Sequence, residues 1–220
     1  RVASALPSIR GVHPGGDHRC VVGDDHSAAL LVPRIFQVID DARYSTPSSG
    51  CNTVRAAVNE YYGRYGRLGG ADGSDLGLVV AGSIYEDWDS RCLVPAGFLD
   101  RAFDAGIGNR QVGHLAGGSR VRVINIRGND ANTPVAASEA ALERGAYDRN
   151  GAGNTNDVLG SWVVEACIEG VANHEAIALN DRLDGEVMGA DLGQNDQAGR
   201  VKYLLGTNGL ARVRVYLSHR

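Results

Sequence analysis

Lysine is nearly absent from this sequence. Lys202 is the single lysine, and the other 21 of the 22 basic residues are arginine, a side chain that suits bidentate contacts with phosphate or carboxylate groups. The net charge is nevertheless −4, so the composition predicts no broad basic surface of the kind that binds nucleic acid. A local cluster of arginines is still compatible with this charge.

Aromatic residues are also scarce, at 6% of the chain, which argues against a carbohydrate groove built from stacked rings. No apolar run approaches the ~18 residues that a membrane-spanning helix needs, and no signal peptide is visible, so we expect a cytoplasmic protein. The four cysteines are widely spaced and form no CxxC pair; they are Cys20, Cys51, Cys92 and Cys167. A metal knuckle is therefore not expected, and whether any of them pair in disulfides is left open.

Helical and extended patterns alternate along the chain. The predicted strands span 35–39, 76–84, 120–126, 175–179 and 210–217, and the predicted helices 53–65, 94–104, 138–147 and 158–170. This alternation is typical of α/β proteins, so we expect an α/β fold with a mainly parallel sheet and helices on both faces. The whole chain, residues 1–220, is predicted to form a single domain, with residues 1–27 as an irregular N-terminal segment.

One stretch carries most of the functional argument. The predicted strand 35–39 is followed by two acidic residues, a loop rich in hydroxyl groups, and a helix beginning at Thr53. In open α/β sheets, ligands bind beyond the carboxyl ends of the strands, and a helix N-terminus offers free N–H groups to a phosphate. Asp40 and Asp41 would accept hydrogen bonds from sugar hydroxyls or hold a hydrated Mg²⁺. The stretch therefore predicts a pocket for ribose 5-phosphate, whose phosphate is held by Ser45, Thr46, Ser48, Ser49, Gly50, Asn52 and Thr53.

This order of features resembles the phosphoribosyltransferases, and most of all the bifunctional pyrimidine-operon regulator and uracil phosphoribosyltransferase family. Residues 39–45 read Ile-Asp-Asp-Ala-Arg-Tyr-Ser, and residues 53–57 read Thr-Val-Arg-Ala-Ala. Weaker similarity extends over about residues 34–125. The chain departs from the family pattern because its loop is longer and contains Pro47, and because only a short, dissimilar segment precedes the motif.

The resemblance implies an enzyme that transfers a phosphoribosyl group between phosphoribosyl pyrophosphate and a nucleobase with the help of Mg²⁺. Asp40 and Asp41 would be its catalytic residues, and Arg182, after the predicted strand 175–179, would contact the pyrophosphate. A homo-oligomer is expected as well. The departures favour an alternative, which is a non-catalytic regulatory module that has kept a nucleotide-binding site.

A second alternative is an ester hydrolase of the SGNH type. Gly128, Asn129 and Asp130 follow the predicted strand 120–126, where such enzymes place an asparagine that donates to an oxyanion. The early position of the nucleophilic serine holds an aspartate in this chain. Histidines and aspartates between residues 13 and 26 are suitable divalent-metal ligands, but their spacing favours a solvated N-terminal loop.

Overall fold

The computed structural model describes residues 25–70, 74–80, 82–108, 122–129, 142–151, 156–185, 188 and 194–220, with side chains described from Ser45 onward. The chain divides into two compact units, Arg1–Gln37 and Val38–Arg220. In the first unit the structure describes helical backbone from Asp25. All the strands that the structure describes belong to the second unit.

The first helix, α1, is Asp25–Tyr65. Its described side chains include a buried series, Cys51, Val54, Val58 and Tyr61. Residues spaced by three or four positions share one face of a helix, and this face packs into the main core. The predicted helix 53–65 is confirmed as the C-terminal part of α1.

The remainder of α1 corrects three predictions. Residues 35–39 are helical rather than a strand, residues 40–52 are helical rather than a loop, and the predicted irregular segment 1–27 gives way to helix at Asp25. Serine, threonine, proline and glycine have low helix propensity, which is why the sequence favoured a loop before Thr53. Burial of Pro47 and Cys51 on the core-facing side of α1 outweighs these local preferences.

Five antiparallel strands form one sheet in the order β1-β2-β3-β5-β4. The strands are β1 Ile84–Tyr85, β2 Arg122–Gly128, β3 Trp162–Ala172, β4 Val201–Leu204 and β5 Leu210–His219. The prediction of a mainly parallel sheet with helices on both faces is therefore wrong. Parallel neighbours need a long crossover connection, whereas a short turn joins β4 to β5. The predicted strands 120–126 and 210–217 are confirmed as β2 and β5.

Between residues 158 and 184 the sequence predicts a helix followed by a strand, and the structure has a strand followed by a helix. Residues 158–170, predicted as a helix, form most of β3, and residues 175–179, predicted as a strand, lie in the second helix, α2, Asn173–Asp184. Glu165 and Glu169 caused the first error, because two polar residues four positions apart imitate one face of a helix. In fact Glu165 is fully buried, so its polarity does not mark an exposed face.

Three further predicted elements differ from the structure. Among the described residues of 76–84, Ile84 alone belongs to a strand, and residues 94–104 form turns and irregular chain after a π-helical turn, Asp89–Leu93. The predicted helix 138–147 falls partly outside the described residues, and its described part, 142–147, is mainly turn. Irregular chain therefore runs beside α1 at residues 99–104.

The two faces of the sheet differ in chemistry, as the alternation of side chains along antiparallel strands allows. One face is apolar and joins α1 and α2 in the main core, to which the strands contribute Ile124, Ile126, Val164, Ile168, Val213, Val215 and Leu217. The opposite face carries charged residues, and there Tyr147 and Val158 pack on Val163 and Tyr216.

Replacing Ile168, a fully buried residue of β3, with alanine is expected to lower the free energy of unfolding by about 2–5 kcal/mol, because the deleted groups leave a cavity in the main core. Leu159→Ala is the control, since Leu159 is 57% exposed and its loss should change the free energy by less than ~0.5 kcal/mol. Urea denaturation measures both variants. Equal effects would contradict the assignment of this face to the core.

Candidate functional site

A cavity of about 830 Å³ lies between α1 and residues 99–104. α1 contributes Ser45, Thr46, Ser49, Gly50, Thr53 and Val54 to its wall, and the facing segment contributes Leu99, Asp100, Arg101, Ala102, Phe103 and Asp104. Sites for small molecules commonly enclose about 300–1,000 Å³. The cavity is therefore large enough for a ligand of that kind.

One buried carboxylate fixes the facing wall. Asp89, in the π-helical turn, is fully buried. Its Oδ2 accepts a hydrogen bond from the Phe103 amide at 2.7 Å, and its Oδ1 accepts one from the Ile124 amide at 3.2 Å. Because Ile124 belongs to β2, the two bonds fasten this wall of the cavity to the sheet.

Two glycines let the facing wall approach α1 closely. A Cβ atom on Gly50 would lie 3.4 Å from both the Phe103 ring and the Asp104 carbonyl oxygen. A Cβ atom on Gly106 would lie 3.2 Å from Thr46 Cγ2, and the φ of Gly106 is 68°, a conformation that glycine adopts without strain. Larger side chains at these positions would push the walls apart.

Hydroxyl groups line the α1 wall. Ser45, Ser49 and Thr53 follow one another at intervals of four residues, with Thr46 beside them, so the helix places all four on one side. Thr53 Oγ1 also donates to the Ser49 carbonyl oxygen at 3.0 Å. Since each hydroxyl can both donate and accept hydrogen bonds, this wall suits a ligand that carries hydroxyl groups itself.

Charged groups come from the facing wall. Asp104 Oδ1 accepts hydrogen bonds from Arg122 Nη1 at 2.6 Å and from the Gly106 amide at 2.9 Å. Asp100 and Arg101 are exposed and form no hydrogen bond or ion pair with any residue that the structure describes. One carboxylate and one guanidinium are thus available to a ligand.

The cavity wall contains five of the seven residues predicted to hold a phosphate: Ser45, Thr46, Ser49, Gly50 and Thr53. Ser48 and Asn52 are not part of it. The predicted loop before a helix N-terminus is wrong, because all seven residues lie inside α1. Backbone N–H groups inside a helix bond to the preceding turn, so these residues offer a ligand their side chains rather than their amides. Their role toward a phosphate stays a prediction.

Of the other predicted site residues, the structure describes one side chain, that of Arg182. Asp40 and Asp41 belong to the helical backbone of α1, and their side chains lie outside the described part of the chain. Arg182 is exposed in the last turn of α2 and is not part of the cavity wall. Among the described side chains no three metal-ligating residues come together, and the Mg²⁺ prediction stays untested.

Sequence reasoning missed the facing wall, residues 99–104. These residues were expected to be helical, and nothing in their composition separates them from an ordinary surface turn. They reach α1 through a long-range contact that Asp89 and Gly50 make possible. The neighbouring charges of Asp100 and Arg101 are the one local signal that this segment offered.

A second group of ionisable side chains is buried on the charged face of the sheet. Glu165 of β3 accepts hydrogen bonds from Arg127 of β2 and from the Tyr147 hydroxyl, the latter at 2.7 Å. Arg127 and Arg214 both form ion pairs with Glu143, at 3.0 and 2.8 Å. We call these residues, together with Lys202, the Glu165 cluster.

Lys202 of β4 joins the cluster from the edge of the sheet and is fully buried. Its Nζ donates to the carbonyl oxygens of Arg144 and Ala146, the latter at 3.1 Å, and lies 4.2 Å from the centroid of the Tyr147 ring. Glu165, Arg127, Arg214 and Lys202 are buried, whereas Glu143 is exposed. Their bonds to Glu143, to Tyr147 and to the two carbonyl oxygens fasten residues 143–147 to the sheet.

Burial and neighbouring charges set the ionisation of the Glu165 cluster. Burial raises the pKa of Glu165, but the charges of Arg127, Lys202 and Arg214 outweigh it and hold this pKa below its usual value. Burial lowers the pKa of Lys202 to about 8, against the opposing effect of Glu165. Glu165 is therefore a carboxylate at neutral pH.

The three described cysteines, Cys51, Cys92 and Cys167, are free and buried. Burial raises the pKa of the Cys51 and Cys167 thiols to about 12 and also raises the pKa of Cys92. Because the thiolate is the reactive form, all three are unreactive at neutral pH. Cys20 lies outside the described residues.

Asn129 does not supply the oxyanion donor that an SGNH-type hydrolase would need. Its side-chain amide nitrogen donates to the carbonyl oxygens of Gly145, at 2.8 Å, and Val158, and its Oδ1 accepts from the Ser161 amide at 2.9 Å. The side chain is buried, and its hydrogen bonds hold three chain segments together. The observation behind the ester-hydrolase alternative therefore has a structural explanation.

Comparisons with known proteins add no relative. No family model matches the chain, and searches of curated proteins and of solved structures find no match. In the described part of the chain, no helix has the length and apolar character to cross a membrane. The resemblance to phosphoribosyltransferases stays a sequence-based prediction.

Glu165→Gln is expected to lower the free energy of unfolding by about 3–5 kcal/mol at pH 7, because the amide leaves Arg127, Lys202 and Arg214 without their central counter-charge. Glu60→Gln, at an exposed position of α1, is the control and should change it by less than ~0.5 kcal/mol. Denaturant titration measures both. A small loss in Glu165→Gln, equal to that of the control, would show that the Glu165 cluster is not a buried ion group.

The stability contribution of Lys202 is expected to increase with pH. Its pKa in the folded state is about 8, below the ordinary value of 10.5, so between these values the unfolded chain binds more protons and deprotonation favours folding. From pH 7 to pH 9 the free energy of unfolding of the wild type should therefore increase by about 1 kcal/mol relative to that of Lys202→Met. Denaturant titrations at these two pH values measure it, and a difference that stays constant would contradict the lowered pKa.

Proposed function

We propose that this chain binds a small, hydroxyl-rich anion of the sugar-phosphate class in the cavity between α1 and residues 99–104. The observation that supports this most directly is the pairing of a hydroxyl-lined wall with Arg101, which has no bonding partner among the described residues. Serine and threonine hydroxyls exchange hydrogen bonds with sugar hydroxyls, and a guanidinium binds a phosphate in a bidentate manner.

The carboxylates of the facing wall narrow the ligand class. Asp100 can accept hydrogen bonds from sugar hydroxyls, as carboxylates do, while it repels additional negative charge near Arg101. Asp104 is already paired with Arg122 and adds little attraction for an anion. A ligand with one phosphate and several hydroxyls fits this balance better than a pyrophosphate or a triphosphate.

Binding, rather than phosphoribosyl transfer, is the activity that the geometry supports best. The resemblance implied a parallel α/β sheet, and the sheet is antiparallel. The described cavity wall offers hydroxyls, two carboxylates and one guanidinium, which are groups that bind a sugar phosphate. A non-catalytic binding module, the alternative that the sequence left open, agrees with this lining. Phosphoribosyl transfer with Mg²⁺, with Asp40 and Asp41 as its catalytic residues, stays a prediction.

Isothermal titration calorimetry with ribose 5-phosphate tests the proposal. We expect saturable binding to the wild type, and we expect Arg101→Gln to weaken it by at least about tenfold, because the bidentate phosphate contact is lost. The wild type should bind ribose more weakly than ribose 5-phosphate. The affinity for ribose should be the same in the wild type and in Arg101→Gln, because ribose has no phosphate for Arg101 to contact.

Arg91→Gln provides the matched control, since Arg91 is an exposed arginine outside the cavity wall. It should leave the affinity for ribose 5-phosphate unchanged. Absence of binding by the wild type, or an equal loss in Arg91→Gln and Arg101→Gln, would overturn the assignment of this cavity as the site.

A further inference from the structure

The end of β5 carries a tyrosine–histidine pair away from the cavity. The Tyr216 hydroxyl and His219 Nδ1 are hydrogen-bonded. β4 pairs with β5 only as far as Val201 and Val215, and beyond this point the Tyr216 amide donates to the Arg200 carbonyl oxygen at 2.7 Å. The pair therefore lies beyond the first residue of β4, where the last residues of β5 form the edge of the sheet.

Arginines approach this pair from several elements. The guanidinium carbon of Arg149 lies 4.8 Å from the centroid of the Tyr216 ring. That of Arg220 lies 4.6 Å from the centroid of the Tyr62 ring, and its Nη2 donates to Asn59 Oδ1 at 3.3 Å. Arg220 is thus held against α1, beside the end of β5.

Arg55 and Arg200 complete the group. We call its four members the edge arginines: Arg55, Arg149, Arg200 and Arg220. Positive charge from all four acts on the Tyr216 hydroxyl, and it partly offsets the rise in the pKa of this group that burial causes. Burial, Arg149 and Arg220 lower the pKa of His219. The segment 142–151, α1, the start of β4 and the end of β5 therefore all direct positive charge at one place.

Negative charge at this place is limited. None of the four edge arginines forms an ion pair with a carboxylate in the part of the chain that the structure describes. Two aspartates lie nearby and are bonded to main-chain amides: Asp157 accepts from Arg149 and Asn150, and Asp184 accepts from Arg200 and Val201. Four cations thus face two carboxylates. Both are bonded to backbone amides, and Asp184 also interacts electrostatically with Arg200.

The guanidinium of Arg200 gives the most specific indication. Its Nε and Nη2 atoms are buried and have no hydrogen-bond partner among the described residues. Buried polar groups normally have such partners, and leaving a charged donor without one is costly. An acceptor that reaches Arg200 from outside the described residues would remove this cost.

We propose that the edge arginines form a second anion site, which binds a phosphate dianion between Arg149, Arg200 and Arg220 next to His219. Clustered guanidinium groups recognise phosphate through charge-assisted, bidentate hydrogen bonds. Arg55 adds attraction from α1. The site shares no residue with the cavity wall, so this proposal does not depend on the proposed sugar-phosphate site.

The pKa of His219 reports directly on occupancy. In the free protein burial and, after it, the charges of Arg149 and Arg220 lower this pKa. A bound dianion would neutralise part of that charge and stabilise the imidazolium. NMR titration of the His219 ring should give a pKa that is higher by about 0.5 or more in sodium phosphate than in sodium chloride of equal ionic strength. The ring signals of His174 on α2 serve as the internal chemical-shift reference.

Variants separate this site from the cavity. Arg149→Gln and Arg200→Gln should each weaken the phosphate dependence of the His219 pKa at least about fivefold, whereas Arg101→Gln should leave it intact. Conversely, Arg149→Gln should bind ribose 5-phosphate in the cavity as the wild type does. A His219 pKa that is the same in both salts, or a response that survives in both Arg149→Gln and Arg200→Gln, would overturn the proposal, whatever the cavity binds.

Discussion

The contact between Glu165 and Arg127 is the interaction on which the sheet depends. Glu165 is fully buried in β3, and its counter-charges come from β2, β4 and β5. A shift of β3 by one residue would turn its side chains to the opposite face and bury a carboxylate in the apolar core without a partner. Such a state is strongly unfavourable, so the charged cluster selects one register for the whole sheet.

Fixing the register also determines what covers each face. The Glu165 cluster binds residues 143–147 through Glu143, Tyr147 and the carbonyl oxygens that Lys202 contacts. The other face is left apolar for α1 and α2. Asp89 is a second buried carboxylate that joins two segments, because it accepts hydrogen bonds from Phe103 in the cavity wall and from Ile124 in β2. Buried acidic groups therefore position both the sheet and the candidate site.

The same buried charges limited what could be predicted from the sequence. β2 and β5 were predicted because their patterns are extended, and the end of α1 was predicted because its apolar residues follow the helical period. β3 was misread because pattern analysis assumes that polar residues are exposed, and Glu165 is not. The start of α1 was misread because Pro47, Gly50 and the hydroxyl residues favour a turn locally, whereas the core-facing contacts that make it helical are long-range.

The residues predicted to hold a phosphate belong to a different local structure from the one that the sequence suggested. Ser45, Ser49 and Thr53 were singled out as a loop whose amides would cradle a phosphate, and they line the cavity as one face of a helix. Helical hydrogen bonding occupies the amides, so in the proposed site the hydroxyls and Arg101 across the cavity would contact the ligand. Amides and a helix terminus attract any anion, whereas hydroxyls demand a partner that returns their hydrogen bonds. If the proposed sugar phosphate binds here, the helical arrangement would therefore select for its sugar more than for its phosphate.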